Sequence, residues 1–214
     1  MNKQITIICL VLLISLVTLS GETLVYTFTN AGQTGRTGPN QSQIDSAYSS
    51  TSLGGKVTSS NGIQLWTVEY SGEYIIEAFG AQGGDGGHSG VTYQSGGKGA
   101  KMSGKFSFNA GDQIKILVGQ MGLKEMSYGH QPGGGGGGTF VVLGDNTPLI
   151  IAGGGGGGGQ KDWGQNYDGD PGQNGTSGTI YGGTNGNGGS RSSTAYYAGA
   201  GGGLLTDGSE HYAN

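Results

Sequence analysis

The residue types that most often carry catalysis or bind metals are few and scattered in this chain. His88, His130 and His211 lie apart in glycine-rich or polar stretches, without the close spacing that a metal site uses. Spacing groups no serine, histidine and aspartate into a hydrolytic triad. The sequence therefore predicts surface histidines, no bound metal or cofactor, and no catalytic centre.

The stretch "NYDGDPGQNG" has oxygen ligands at a spacing similar to that of a calcium loop. Asp168 and Asp170 are two residues apart, with Asn166 and Asn174 nearby. A calcium loop closes with a glutamate at a fixed distance, and that glutamate is missing here. A solvated turn and a calcium loop both remain open, and the missing glutamate favours the turn.

Glycine motifs that bind phosphate are incomplete. "EAFGAQGGDGG" lacks the G-x-G-x-x-G register, and no amphipathic helix follows it. Lys56, Lys98 and Lys105 each follow a glycine without completing a phosphate loop. The net charge of −4 argues against a polyanionic partner. We predict neither a nucleic-acid partner nor a small-molecule substrate.

The N-terminus has the features of a secretory signal. Lys3 precedes a mostly apolar run from Ile5 to Leu19, which is short for a membrane span, and small residues follow it. We predict a signal peptide over residues 1–20, cleaved near Ser20 or Gly21. An uncleaved membrane anchor is the alternative. The processed chain is expected to be secreted or held at the cell surface.

The predicted secretion determines which covalent modifications the processed chain can carry. Cys9, the single cysteine, lies inside the predicted signal, so hydrogen bonds and packing must stabilise the processed chain without disulfides. The sequons "NQS" and "NGT" make Asn40 and Asn174 candidate N-glycosylation sites.

Alternating apolar and polar residues predict an all-β fold with short connections. "NAGD" at 109–112 is expected to be a hairpin turn, and "DNTP" joins the last two strands. Residues 40–50 are the one candidate helix, capped by Asn40 and with Ile44, Ala47 and Tyr48 facing inward. The predicted strands are 23–29, 63–70, 73–79, 101–108, 113–119, 139–144 and 148–152.

Glycine accounts for 51 of the 214 residues, about three times its average share of roughly 7%. Uninterrupted runs span Gly133 to Gly138 and Gly153 to Gly159. Elsewhere glycines recur every third residue, the period of the polyproline-II helix, which has no internal hydrogen bonds. These series are Gly32, Gly35 and Gly38; Gly80, Gly83 and Gly86; and Gly169, Gly172, Gly175 and Gly178.

Three structures compete for these glycines: a flexible linker, a collagen triple helix and a bundle of polyglycine-II helices. Little proline and short triplet series disfavour collagen. The runs flank a predicted hairpin on both sides, which is unusual for linkers. A bundle requires nearly every amide to find a partner, because ordering a residue costs roughly 1–2 kcal/mol and a hydrogen bond returns about 0.5–1.5 kcal/mol. We favour the bundle, with the second run as an interior helix that alanine at Gly156 would disrupt.

The order of several segments resembles the extracellular glycine-rich domain of the anaplastic lymphoma kinase and leukocyte tyrosine kinase receptor family. The matching segments are "YTFTNAGQTGRTGPNQSQIDSAY", "NGIQLWTV", "YIIEAFGAQGGDGG", "ILVGQMG" and "GGGGGGTFVVLGDNTPLIIAGGGG". The resemblance implies a tumour-necrosis-factor-like β-sandwich with an inserted bundle of polyglycine-II helices. In the receptors this module binds a small cytokine ligand and helps the receptor dimerise.

Two departures from the family pattern are visible. The family has cysteines where this sequence has Ala31 and Ile44, which implies the loss of one disulfide. The sequence also stops at "SEHYAN" inside a glycine-rich segment, before the closing strands that the family would supply. None of the family's ligand contacts is therefore carried over to these residues.

The expected organisation follows from these segments. Residues 1–20 form the signal peptide, 22–79 the first strands of the sandwich, and 80–100 a glycine-rich segment. Further strands with the glycine run 133–138 occupy 101–152. A polyglycine-helix region, truncated at its C-terminus, covers 153–214.

The functional hypothesis is a secreted or cell-surface protein-binding or structural module without catalysis, whose partner is an extracellular protein or another copy of itself. One alternative is the ectodomain of a receptor tyrosine kinase that binds a cytokine-like ligand. The other is a self-associating extracellular structural protein. Membrane contact is expected only through a downstream segment or an uncleaved N-terminal anchor.

Overall fold

The computed structural model describes residues 4–9, 24–86, 95–123 and 133–158. Most of the regular structure in these ranges is β-strand, and their only α-helix is α1 (Gln41–Tyr48), so the all-β prediction is confirmed. The strands are β1 (Gln4–Cys9), β2 (Val25–Phe28), β3 (Val57–Ser60), β4 (Ile63–Thr67), β5 (Gly72–Phe79), β6 (Lys101–Phe108), β7 (Gln113–Leu117), β8 (Thr139–Leu143) and β9 (Pro148–Ala152).

The strands form two sheets. One has the order β2-β1-β5-β6, in which β1 runs parallel to β2 and β5 while β5 and β6 are antiparallel. The other has the order β3-β4-β7-β8-β9 and includes antiparallel pairs from β3 through β8. Every predicted strand is present, and β1 and β3 are additional.

Aromatic rings from both sheets meet in a shared core. The Trp66 ring on β4 lies 4.8 Å from the Tyr26 ring and 6.0 Å from the Phe28 ring, centroid to centroid, and both partners are on β2. Tyr74 on β5 lies 6.2 Å from the Trp66 ring. These rings are at most 1% exposed. Their alternating positions on the strands explain why the period-two pattern predicted the fold.

Helix α1 begins as predicted. The Asn40 side chain accepts a hydrogen bond from the Gln43 backbone N–H, and the Gln43 side chain accepts one from the Asn40 N–H, which completes a capping box. Ile44 and Tyr48 are buried against the core, as expected. The expectation for Ala47 is wrong, because this residue lies on the exposed face of the helix.

A buried polar network connects helix α1 to strand β4. Gln64 on β4 is fully buried, and its side-chain oxygen accepts a 2.6 Å hydrogen bond from the Tyr48 hydroxyl. Its amide nitrogen donates to the Thr29 carbonyl oxygen at 2.6 Å. Both polar ends of the buried amide are therefore satisfied, as burial requires.

The turn at 109–112 is tight but is not a hairpin. The Asp112 N–H donates to the Asn109 carbonyl oxygen at 3.1 Å, and Gly111 adopts a φ of +98°. The flanking strands β6 and β7 belong to different sheets, so this turn carries the chain from one sheet to the other. A short loop between two strands of alternating apolar and polar residues can form a hairpin or connect two sheets, and the sequence of the loop does not distinguish these structures.

The glycine series at 32, 35 and 38 does not continue an extended helix. Gly32 and Gly35 have φ values of +76° and +96° and lie in bends and turns. Gly38 instead crosses the backbone at Gly62, where an added Cβ would lie 2.0 Å from the Gly62 carbonyl oxygen. The prediction of a polyproline-II-like segment is wrong for this series.

Strand β1 falls inside the predicted signal peptide. Its residues pair with β2 from Thr6 to Cys9 and with β5 from Gln4 to Cys9. Cleavage near Ser20 or Gly21 stays a prediction, because both residues lie outside the described ranges. None of the described helices is long and apolar enough to cross a membrane.

The described residues divide into two compact units. One, the strand unit, contains α1 and the strands, except Ala152 at the end of β9. The other, the glycine-rich unit, consists of residues 80–86, 95–100, 119–123, 133–138 and 152–158. The domain boundaries inferred from sequence remain a prediction.

Candidate functional site

The sequence-predicted site residues are divided between described and undescribed parts of the chain. Asn40 and the glycines Gly133, Gly138, Gly153 and Gly156 are described. The following lie outside the described residues: Asn174, Gly159, Asp168, Asp170, His88, His130 and His211. The described ranges contain no cluster of three or more metal-ligating side chains.

The glycine-rich unit is held together by hydrogen bonds between separate backbone segments. We refer to residues 80–86, 95–100, 119–123, 133–138 and 153–158 as glycine segments one to five. Segment one bonds to each of the other four; its Gly80 and Ala81 N–H groups donate to the Ala100 and Gly137 carbonyl oxygens, each at 2.9 Å. Segment two also bonds to segment five, and segment four bonds to segments three and five.

These hydrogen bonds recur every third residue. Gly80 and Gly83 donate to the carbonyls of Ala100 and Gly97, so segments one and two are antiparallel. Gly155 and Gly158 donate to the carbonyls of Ala81 and Gly84, so segments five and one are parallel. A step of three residues per bond is the repeat of a helix with three residues per turn and no internal hydrogen bonds.

The packing leaves no space for side chains at the same three-residue spacing. A Cβ on Gly80 would lie 1.9 Å from the Gly153 carbonyl oxygen, and one on Gly83 would lie 2.0 Å from that of Gly156. A Cβ on Gly133 would lie 1.9 Å from the Gly84 carbonyl oxygen. Atoms do not approach that closely, so only glycine fits at these positions. Comparable contacts, all to carbonyl oxygens at 2.2 Å or less, occur at Gly96, Gly99, Gly119, Gly122, Gly136, Gly154 and Gly155.

The segment with neighbours on the most sides is segment one, and not the longest glycine run. Within segment five, Gly153 is exposed, and a Cβ there would meet no atom within 4 Å. Gly154 and Gly155, by contrast, would clash with the carbonyls of Gly136 and Gly97. The expectation that neighbours approach the run from every side is therefore wrong at Gly153.

The sequence analysis did not assign several glycines of this unit to a three-residue series. Gly96 with Gly99 and Gly119 with Gly122 each form a pair spaced by three. That spacing was the available signal, but a single pair is too short to distinguish from chance. The longer series and the uninterrupted runs were easier to recognise.

Polar side chains bond to the backbone of segment two. The Gln82 amide nitrogen donates to the Gly96 carbonyl oxygen at 3.0 Å, and the Asp85 carboxylate accepts from the Gly96 N–H at 3.2 Å. Met121 and Leu123 in segment three are 56% and 64% exposed. The unit thus combines a backbone interior with scattered side chains at its surface.

The strand unit has an open depression of about 430 Å³ beside helix α1. It is lined by uncharged residues: Ala31, Gly32, Ser42, Gln43, Ser46 and Ala47. Its neighbour Asn40 is exposed, so the sequon side chain is accessible while it caps α1. Nothing in this lining pairs a nucleophile with a base.

Charged side chains on the outer face of β5 and β6 pair with each other. Lys105 lies 2.9 Å from the Glu73 carboxylate, and Lys101 lies 3.0 Å from that of Glu77. Burial raises the pKa of the Tyr26 phenol on β2 and of the Tyr74 phenol on β5. The negative charge of Glu69 raises both further.

Together the strand unit and the glycine-rich unit define an all-β protein in which part of the backbone packs without side chains. No protein-family model matches the chain. Over 100 residues, or 45% of its length, the chain is 38% identical to the leukocyte tyrosine kinase receptor of Mus musculus. The match spans 11% of that receptor. The chain therefore contains a region related to this receptor.

The comparison supports part of the family resemblance found in the segment order. A receptor relative fits an extracellular or cell-surface location and a receptor-ectodomain-like role. The matched part is a small share of the receptor, so the receptor's catalytic activity is not carried over to this chain.

Proposed function

We propose that this chain is an extracellular, non-catalytic recognition module of the glycine-rich receptor-domain type. Its strand unit would be a tumour-necrosis-factor-like sandwich, and its glycine segments would be a bundle of polyglycine-II helices. The module would bind an extracellular protein, and it would be secreted or held at the cell surface.

The observation that carries this proposal is the glycine packing with its period of three. Carbonyl oxygens lie about 2 Å from where a Cβ would be at Gly80, Gly83, Gly96 and Gly99. Each of these segments also bonds its neighbours through the backbone. A linker needs neither feature, because glycine-rich linkers are random coils that tolerate substitution.

The bundle explains how a chain with few apolar residues keeps a defined shape. Within the bundle, backbone hydrogen bonds take the place of a core of apolar side chains. A rigid unit of this kind can hold a binding surface in place or space two subunits. Similarity to a receptor favours recognition over a purely structural role.

Binding to intact cells tests the proposed function. The secreted chain, fluorescently labelled and joined in pairs by a dimeric fusion partner, is titrated on cells of the organism that encodes it. We expect saturable binding that the unlabelled chain competes. Absence of saturable binding, together with assembly that grows with concentration in sedimentation velocity, would instead support the self-associating structural protein.

The receptor-ectodomain alternative has its own test. The 38% identity to a region of the leukocyte tyrosine kinase receptor favours this alternative. The transcript that encodes residue 214 is sequenced further downstream. An apolar span of about twenty residues followed by kinase motifs would support a receptor, whereas a stop codon soon after Asn214 would contradict it.

A further inference from the structure

The sequon at the start of α1 has a fixed place on the surface of the strand unit. Asn40 is the N-cap of α1, and Gln41 is the first residue of the helix. The Gln41 amide nitrogen donates to the Val57 carbonyl oxygen at 3.1 Å, and its amide oxygen accepts from the Ser59 N–H at 2.8 Å. These two bonds hold the sequon beside β3, the first strand of its sheet.

The two ends of the Asn40 side-chain amide are used differently. Its Oδ1 accepts a hydrogen bond from the Gln43 backbone N–H at 3.0 Å, which caps the helix. The second bond of the capping box uses the backbone N–H of Asn40. Neither bond involves the amide nitrogen Nδ2, which is the atom that carries the sugar in N-glycosylation. One side chain can therefore cap α1 and hold a glycan at the same time.

The surface around Asn40 has room for a bulky, hydrated group. Asn40 is exposed, and so is Ser42, the third residue of the sequon. The depression beside them is open, and its lining is uncharged. Hydroxyl and amide groups of that lining, on Ser42, Gln43 and Ser46, can form hydrogen bonds with sugar hydroxyls.

This surface lacks the side chains that usually dominate binding to a protein. Interface hot spots are mostly Trp, Tyr and Arg, and the lining of the depression contains none of them. Among the described residues of the strand unit, the large apolar side chains that are exposed are Tyr70 and Met102, and neither is on α1. A glycan at Asn40 would thus cover a surface that is poor in binding residues.

We propose that Asn40 is an N-glycosylated residue, whose Nδ2 carries the glycan while its Oδ1 continues to cap α1. The donor is a lipid-linked oligosaccharide diphosphate. A bond forms between Nδ2 and the anomeric carbon of the first sugar, the bond from that carbon to the diphosphate breaks, and Nδ2 gives up one proton as the lipid diphosphate leaves. The inference rests on the proposed extracellular location, because this donor belongs to the secretory pathway.

Mass spectrometry tests whether Asn40 is occupied. The full chain is expressed in animal cells with an additional secretory signal before Met1, so that entry into the secretory pathway does not depend on the predicted signal. Protein from the medium, or from the membrane fraction if it is retained, is treated with peptide N-glycosidase in heavy-oxygen water. This enzyme converts a glycosylated asparagine to labelled aspartate. We expect the label at Asn40 in most molecules.

Two variants of the sequon serve as matched controls. Ser42→Ala removes the sequon at an exposed position and keeps the cap, and we expect complete loss of the label at Asn40. Ser42→Thr keeps the sequon, and the label should remain. Asn174 is unchanged in both variants, so a glycan there is common to them.

Thermal unfolding tests whether the cap and the glycan coexist. The glycosylated chain should unfold at a temperature no lower than that of Ser42→Ala, which has the cap without a glycan at this site. Loss of the cap would instead lower the midpoint by roughly 2–4 °C. A decrease of that size in the glycosylated chain would show that the sugar displaces the cap, which would overturn the shared use of Asn40.

Two other results would refute the site. They are an unlabelled Asn40 in the recovered protein, and an equal label at Asn40 in Ser42→Ala, which would indicate a reaction that does not depend on a glycan. The proposed function can fail separately. In that case the chain without the added signal would not be secreted, while Asn40 in the chain with the added signal would still be labelled.

Discussion

Individual glycines differ sharply in what they contribute, even within one uninterrupted run. Gly155 and Gly153 are two residues apart, yet a Cβ at Gly155 would lie 1.9 Å from a carbonyl oxygen and one at Gly153 would meet nothing. The sequence predicted that the run is structural, but seven identical residues carry no signal about which of them face a neighbour. That information depends on segments that are distant in the chain.

Alanine at these two glycines should have opposite effects. We expect Gly155→Ala to lower the free energy of unfolding by about 1–3 kcal/mol, because the backbone of Gly97 must move. Gly153→Ala should be neutral or stabilising by about 0.4–1 kcal/mol, because it restricts the unfolded chain. Urea unfolding followed by circular dichroism measures both. Equal effects would mean that the segments do not pack as described.

Buried tyrosines should make the fold sensitive to high pH. Burial raises the pKa of Tyr26 and Tyr74, so both stay neutral in the folded chain when free tyrosine ionises near pH 10. Their contribution to stability is therefore complete below about pH 10 and is lost as the pH rises toward the folded-state pKa. Phenolate absorbance and circular dichroism, recorded together, should show these tyrosines ionising only as the sheets unfold.

Tyr26→Phe is the variant that tests this pH dependence. It should move alkaline unfolding to higher pH, because it removes a buried phenol that can ionise only when the chain unfolds. If all tyrosines titrate near pH 10 while the chain stays folded, the buried environment described for Tyr26 is incorrect.

At the scale of elements, alternation predicted seven strands and capping chemistry predicted the helix. Strand β3 was missed because its sequence, "VTSS", offers one large apolar residue, Val57, and depends on pairing with β4. Strand β1 was missed because its apolar residues continue into a longer run typical of a signal. Local sequence also could not assign the turn at 109–112, since the partner sheet of β7 is set by distant residues.

The N-cap of α1 gives a prediction at this scale. Asn40→Ala removes the side chain that caps Gln43 and should cost about 0.5–2 kcal/mol of stability in unglycosylated protein. Ser42→Ala is the matched control, because it removes the same sequon at an exposed position and leaves the cap intact. Thermal unfolding compares the two. An equal loss in both would show that the cap does not stabilise the helix.

Across the whole molecule, two kinds of order coexist in one chain. The strand unit uses a conventional aromatic core, which a period-two pattern predicts well. The glycine-rich unit uses backbone hydrogen bonds between segments up to 74 residues apart, such as Gly155 to Ala81. Composition and the period of three indicated that kind of packing, but the pairing of segments required the structure.

Amide hydrogen exchange across the glycine segments tests the central claim most directly. The chain is exchanged under native conditions and read residue by residue by nuclear magnetic resonance. We expect protection at the amides that donate between segments, including Gly83, Gly97, Gly136, Gly155 and Gly158. Exchange of all of these amides at the rates of an unfolded chain would contradict the account and identify the segments as linkers.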